Sequence, residues 1–314
     1  MGKIDKVEMD LSGTIWIEYL ISFRLDMDAR GLSPKTIEGY YECIGHWVKW
    51  LRGRRVADLT VVTKATFQEY ILFQREKVSG STINCRLRHV RGFLGYLHRE
   101  GVLPDGVPDL SHLIKLVKVE RGPKPVVGIE IVGKVLRGLV RRVSRKWDAY
   151  RDLCMVLVFW DCMVRLSELR GLRVSDVSFD QKTLQVLGKG RKRRVIPVGD
   201  RTLKALNKWV IRYRGSLSGG DWLFTDRSGT QLTARNIHQL MARLGKKQGV
   251  RFNPHLIRHS SATWFMSQQG ANLEILRQIL GHSSILVTQQ YLHLNTAVSV
   301  EAYARNCPSK GLDF

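Results

Sequence analysis

The last quarter of this chain concentrates side chains that can do chemistry on a phosphate. His255 and Arg258 lie in Asn-Pro-His-Leu-Ile-Arg-His (253–259), His282 in Leu-Gly-His (280–282) and Tyr291 in Gln-Gln-Tyr (289–291). Imidazoles, a guanidinium and a phenol can together hold a phosphate diester and attack it without a metal. A single His or Tyr on a helix is ordinarily a partly buried structural residue with a satisfied polar tip. What sets these apart is a matching set upstream. Arg165 stands in Arg-Leu-Ser-Glu-Leu (165–169), and Lys189 sits between two glycines in a tight turn joining two strand-like runs. His255 and His259 are four apart, a spacing that metal-binding helices use. No Cys or carboxylate completes such a site nearby and no Glu follows His255, so the cluster reads as metal-free.

Short helices must position these groups. Asn253 is a plausible N-cap and Pro254 fits the first helical position, where a missing N–H costs nothing. A helix begun there puts His255 and Arg258 on one face, with Leu256, Ile257, Ala262, Phe265 and Met266 packing the other side. Gly270 ends it, Asn272 caps a segment over 273–280, Gly281 breaks that segment and exposes His282, and a helical stretch over 285–294 carries Tyr291.

Taken in order, Arg-x-Ser-Glu-Leu, Gly-Lys-Gly, His-x-x-Arg, Leu-Gly-His and a tyrosine nine residues beyond that histidine make a pattern that resembles the tyrosine recombinase family, the phage-integrase and Xer-like site-specific recombinases. The resemblance covers nearly the whole chain. It implies a mainly α fold with a small antiparallel β-sheet: an N-terminal four-helix, SAM-like core-binding domain and a C-terminal α+β catalytic domain, closing as a C-shaped clamp on DNA. It also implies roles. Tyr291 is the nucleophile that forms a 3′-phosphotyrosine and frees a 5′-hydroxyl. Arg165 and Arg258 grip the non-bridging oxygens, Lys189 protonates the leaving oxygen, His255 assists proton transfer at the tyrosine, and His282 hydrogen-bonds the phosphoryl group. One position departs from the pattern: two residues before Arg165 the family usually has Gly, and here Met163 stands there.

Composition fits a polyanionic partner. The 314 residues hold 51 Lys+Arg against 28 Asp+Glu, a formal charge of +23. No apolar run approaches the length of a membrane span and the amino terminus has no secretory pattern, so the expectation is a cytoplasmic, nucleoid-associated protein. Five cysteines without a C-x-x-C pair read as reduced thiols.

Residues 13–108 read as a helical unit with helices over 15–30, from Ser33-Pro34 onward, over 64–75, and from Ser81 to Gly101. Residues 109–125 read as a basic linker and 126–314 as the catalytic domain with its tail. The second domain is expected to hold an apolar helix over 153–160, strands over 177–179, 183–187 and 193–198, a helix over 201–213, and one opened by Thr233 that runs to about 246. Nothing before Gly13 is long enough for an additional arm-binding domain.

Expected DNA contacts are Arg86, Arg88, His89 and Arg91 on the fourth helix, Lys192 and Arg194 beside the lysine turn, and Arg235 and Arg243 on the Thr233 helix. The resemblance further implies double-stranded DNA with a specific recombination site as partner. It implies a homotetramer on that DNA, an accessory directionality protein, a Holliday-junction intermediate, and no cofactor. Two other readings share the scaffold: a type IB topoisomerase, which relaxes one duplex as a monomer, and a DNA-binding regulator that no longer cuts.

Overall fold

The computed structural model describes the chain apart from residues 1, 57, 104–105, 120–121, 123, 144–146, 189–191, 215–219, 269–270, 283 and 290–314. It divides into two units, Met1–Gly122 and Pro123–Phe314. Their architecture is the expected one, helical in the first and α+β in the second.

The first unit contains α1 (Lys3–Leu11), α2 (Ile15–Ala29), α3 (Pro34–Gly53), α4 (Lys64–Arg75) and α5 (Gly80–Arg99). Ser33 and Ser79 cap α3 and α5, each side chain accepting from the backbone N–H three residues on. Ser79 rather than Ser81 therefore opens α5. The long aromatic faces of α2 to α5 converge on one core, in which Trp47 meets Trp16 edge-on at 5.7 Å and stacks on Phe67 at 5.9 Å. Helix α1 stands ahead of the four anticipated helices. It docks where α3 offers Gly45: a Cβ there would lie 3.0 Å from Val7. Leu11 is buried, and Arg52 donates to the Asp10 carbonyl at 2.7 Å.

The stretch expected to be linker is partly core. Leu110 and Ile114 are buried against α5, and Asn84 exchanges two hydrogen bonds with the backbone of Val117 at 2.8 and 2.9 Å. Apolar residues spaced four apart drive that docking, and Asn84 satisfies the extended backbone beside it.

The second unit is built around α7 (Trp147–Asp161), nearly all of whose apolar side chains are buried; α6 (Ile129–Val143), α9 (Asp200–Trp209) and α11 (Pro254–Ser267) pack on it. A three-stranded antiparallel sheet, β1 (Val177–Ser178), β2 (Thr183–Leu187) and β3 (Arg193–Pro197), runs in the order β1-β2-β3. Leu187 pairs with Arg193, and the Gly188 N–H donates to the Lys192 carbonyl at 2.8 Å, which brings the two ends of the 189–191 segment together. Further α-helices among the described residues are α8 (Leu166–Gly171), α10 (Ala234–Lys246), capped by Thr233, and α12 (Leu273–Leu280). Of the helix expected over 285–294, the described part is a 3-10 turn, Ile285–Val287. No helix among the described residues is long and apolar enough to cross a membrane.

Candidate active site

Arg165, His255, Arg258 and His282 line one pocket of about 460 Å³, together with Lys124, Arg251 and His259. None of its described lining residues is a carboxylate. The cavity thus presents guanidinium, ammonium and imidazole groups to whatever enters, an arrangement suited to an anion with several oxygens. Arg251 was not anticipated. The signal was present in its place two residues before the Asn253 cap. Lys189 and Tyr291 lie outside the described residues.

Each group is held by a nameable device. Asn253 caps α11 by accepting from the Leu256 N–H at 2.9 Å, with Pro254 at the first position, so His255 emerges exposed on the first turn and Arg258 one turn deeper. Arg165 is the N-cap residue of α8. Its backbone N–H donates to Glu168 Oε2 at 2.7 Å and its Nη1 to Oε1 at 2.8 Å. Arg194 grips the same carboxylate with both terminal nitrogens at 2.8 and 2.9 Å, and Arg258 Nη1 lies 3.8 Å from it. Burial alone would push the Glu168 carboxyl up. The hydrogen bonds and charge of Arg194, with the N–H groups of Arg165, bring it down to about 2. Glu168 is therefore a buried anion beneath a layer of cations, fixing their side chains without entering the pocket.

The end of α12 organises the same arginines from the other side. Gly281, with φ of 60°, closes a Schellman turn in which the N–H groups of Gly281 and His282 return to the carbonyls of Gln278 and Arg277. Four consecutive carbonyls beyond them each accept from a different guanidinium: Ile279 from Arg194 at 2.9 Å, Leu280 from Arg258 at 2.7 Å, Gly281 from Arg165 at 3.4 Å and His282 from Arg277 at 2.8 Å. The unsatisfied, negative end of a helix is a natural seat for cations. A Cβ at Gly281 would lie 3.0 Å from the Arg194 side chain, so glycine is required there by conformation and by close approach alike.

His282 places Nδ1 3.0 Å from the Thr288 hydroxyl. Its burial, and then the charges of Arg258, Arg165, Arg194 and Arg277, lower its pKa from 6.5 to about 4. A depressed histidine pKa stabilises the fold above the unfolded value. That contribution is lost as pH falls from about 6.5 toward 4. We expect NMR titration of the free protein to find His282 neutral down to about pH 4, and an oxyanion bound between the arginines to raise that value. Titration near 6.5 in the free protein would remove the electrostatic argument.

Met163 fills the glycine position by adopting the glycine conformation: its φ is 50°, in the left-handed region, and its side chain is buried in the core. That backbone aims the Met163 carbonyl at Arg258 Nη1, which donates to it. The strain is about 1–2 kcal/mol. Met163→Gly relieves it but empties a packed site, so a net loss of about 1–3 kcal/mol is expected in chemical denaturation. Met163→Ala should be less stable than Met163→Gly by about 1 kcal/mol, because it empties the site and keeps the strain. The opposite order would mean that the turn is not strained.

The expected DNA contacts divide. Arg88, Lys192, Arg235 and Arg243 are exposed, Arg243 lying 3.8 Å from the buried Asp152. Arg194 is bound inward, donating to the Glu168 carboxylate and the Ile279 carbonyl. Arg86 donates to Gln74 and Arg91 to the Ile114 carbonyl, so both are tied within the first unit. His89 sets Nδ1 2.7 Å from the Cys85 carbonyl and its ring edge-on to Tyr40 at 4.4 Å.

Comparison with known proteins places the chain in a family. The profile of the phage integrase family matches residues 131–297, and that of the phage integrase N-terminal SAM-like domain matches residues 16–101. The chain is 30% identical over 273 residues to the tyrosine recombinase XerC of Xylella fastidiosa (strain 9a5c), covering 85% of this chain and 88% of the relative. Among solved structures, XerH bound to palindromic difH substrate in a post-cleavage complex superimposes with a TM-score of 0.72 at 18% identity, over 88% of this chain and 81% of that one. The Tn1549 transposon integrase in complex with circular intermediate DNA gives 0.70 at 20% identity, over 92% and 99%. Those two likenesses are of fold. With one profile spanning over half of the sequence and a relative at 30% identity along most of both chains, the chain belongs to the phage integrase family, the tyrosine recombinases.

Proposed function

We propose that this protein is a site-specific DNA recombinase that cuts and rejoins strands through a 3′-phosphotyrosine. The observation that carries the reading is the pocket in which Arg165, Arg258 and His282 converge with no described acidic group in the lining. A phosphodiester seated there would have its non-bridging oxygens against two guanidiniums, Arg258 fixed by the Met163 and Leu280 carbonyls and Arg165 by Glu168. In the pentacoordinate transition state those oxygens carry extra negative charge, which preorganised cations stabilise; each such group contributes on the order of 10²–10³ in rate. Neutral His282 donates a hydrogen bond from the nitrogen not facing Thr288.

The phenol oxygen of Tyr291 attacks phosphorus, its proton passing toward His255. The bond to the 5′-oxygen breaks, and Lys189 supplies the proton that leaves a free 5′-hydroxyl. One phosphoester replaces another, so the bond is conserved for rejoining and neither ATP nor a metal is required. Strand exchange in two rounds through a Holliday junction calls for four copies of the chain on two duplexes. A short specific DNA site is part of the same reading. The first unit would grip that site as a core-binding domain, and an accessory protein would set direction.

The test uses nicked duplexes from the DNA flanking the gene, in which cleavage releases a fragment that diffuses away and traps protein on DNA. A slow band on a denaturing gel, with the attached residue identified as Tyr291 by mass spectrometry, is the expected result. Tight, specific binding without any covalent band would overturn strand cleavage in favour of a non-cutting regulator. Relaxation of supercoils by monomeric protein, without recombinant products, would make it a topoisomerase.

A further inference from the structure

In the first unit, two thiols and the imidazole of His89, one of the expected DNA contacts, meet. The donor atoms of Cys43, Cys85 and His89 all lie within 4.8 Å of one another. Cys43 comes from α3 and the other two from α5, helices that pack along each other. Cys85 and His89 are four apart, hence on one face of α5, and His89 Nδ1 is 3.8 Å from Cys85 Sγ.

We propose that Cys43, Cys85 and His89 form a binding site for one thiophilic divalent cation of the zinc class, which would pin α3 to α5. A tetrahedral zinc ion with Zn–S of about 2.3 Å and Zn–N of about 2.0 Å sets its donors roughly 3.5–4 Å apart, so the observed grouping needs side-chain adjustment only. Two sulfurs and one nitrogen suit zinc or a related soft ion and disfavour magnesium and calcium, which take oxygen. Cys85 is exposed, giving the ion a way in, while Cys43 and His89 are half-buried. The edge-on contact with Tyr40 fixes the imidazole ring in advance. With three protein donors, water takes the fourth position.

Loading is an exchange: the cation binds two thiolates, two thiol protons leave to solvent, and the site becomes neutral. His89 Nδ1 would exchange its contact with the Cys85 carbonyl for the metal. The site is independent of the strand-cleavage reading and survives its failure.

The experiment titrates full-length protein, reduced and stripped by chelator, with Co(II) as a coloured stand-in and then with Zn(II). One equivalent of cobalt should give a sulfur-to-metal charge-transfer band that zinc abolishes, and zinc should raise the unfolding midpoint in a concentration-dependent way. Cys85→Ser and His89→Ala should each weaken binding by about 100-fold or more. Cys85 is exposed, so its substitution carries the test even if Cys43→Ser proves unstable. The absence of a charge-transfer band in wild type overturns the proposal. So does a band of equal strength in Cys85→Ser, which would place the sulfur ligands elsewhere. Cobalt bound without that band, as a histidine pair such as His255 and His259 would hold it, counts against the proposal too.

Discussion

Tyr291→Phe is expected to bring covalent protein–DNA complex to background while leaving specific DNA binding intact. The substitution removes one oxygen. Affinity for a duplex comes from many cationic contacts, in a chain whose formal charge is +23, and losing a phenol hydroxyl alters none of them. In the proposed mechanism covalent capture depends wholly on that oxygen, because no other atom of the side chain can form the phosphoester. The effect is therefore qualitative, unlike the graded losses from removing a stabilising cation. Binding is read on a native gel with intact duplex, capture on a denaturing gel with nicked duplex, from the same preparation. A persistent denaturing band in Tyr291→Phe would transfer the nucleophile to another residue and with it the register of the whole motif. Loss of both signals together would indicate that Tyr291 holds the DNA-binding surface, and would remove the argument for a purely chemical role.

Much of this molecule is legible in its sequence, and the illegible parts share one physical cause. Helices α3 and α5 are long, with aromatic and aliphatic residues at three- and four-residue spacing and serine caps, so period and punctuation agree. The paired strands β2 and β3 announce themselves by apolar runs on either side of Gly-Lys-Gly, and the structure describes both. Helix α1 was missed because its nine residues carry only Ile4, Val7 and Leu11 as a periodic signal, too little without knowing that Gly45 receives them. The segment after α5 read as linker because Pro, Gly and charge dominate its composition. Its packing rests on Leu110, Ile114 and one asparagine clamp, which composition averages away. The arginines show the limit most plainly. A motif can pick out Arg165 and Arg258, whereas Arg194 looks like any basic residue until the carboxylate it grips is seen to be buried. The destination of a charge is a tertiary fact.

Glu168→Ala is expected to cost about 3–5 kcal/mol of folding stability, the usual consequence of removing one partner from a buried ionic group. The carboxylate is 2% exposed and receives two bonds from Arg165 and two from Arg194, so its loss leaves Arg194 nearly buried without its counter-charge. The wild type should reveal the same interaction through pH. A carboxyl held at about 2 when folded, against 4.5 ordinarily, binds its proton more readily in the unfolded chain. Its contribution of about 3 kcal/mol is thus fully present above pH 4.5 and is lost as pH falls toward 2. Glu168→Gln keeps the shape and removes the titration. Urea unfolding between pH 5 and pH 2 should therefore show a decline in wild type that is shallower in Glu168→Gln by about that amount. Parallel curves would mean that the carboxyl titrates alike in the folded and unfolded chain, so that the arginines do not hold it down. Cleavage follows from the same geometry. Without Glu168, the Arg165 side chain keeps a single described anchor, the 3.4 Å contact to Gly281, so a guanidinium that is preorganised in the wild type must be ordered by the substrate, and the chemical step should slow more than DNA binding weakens.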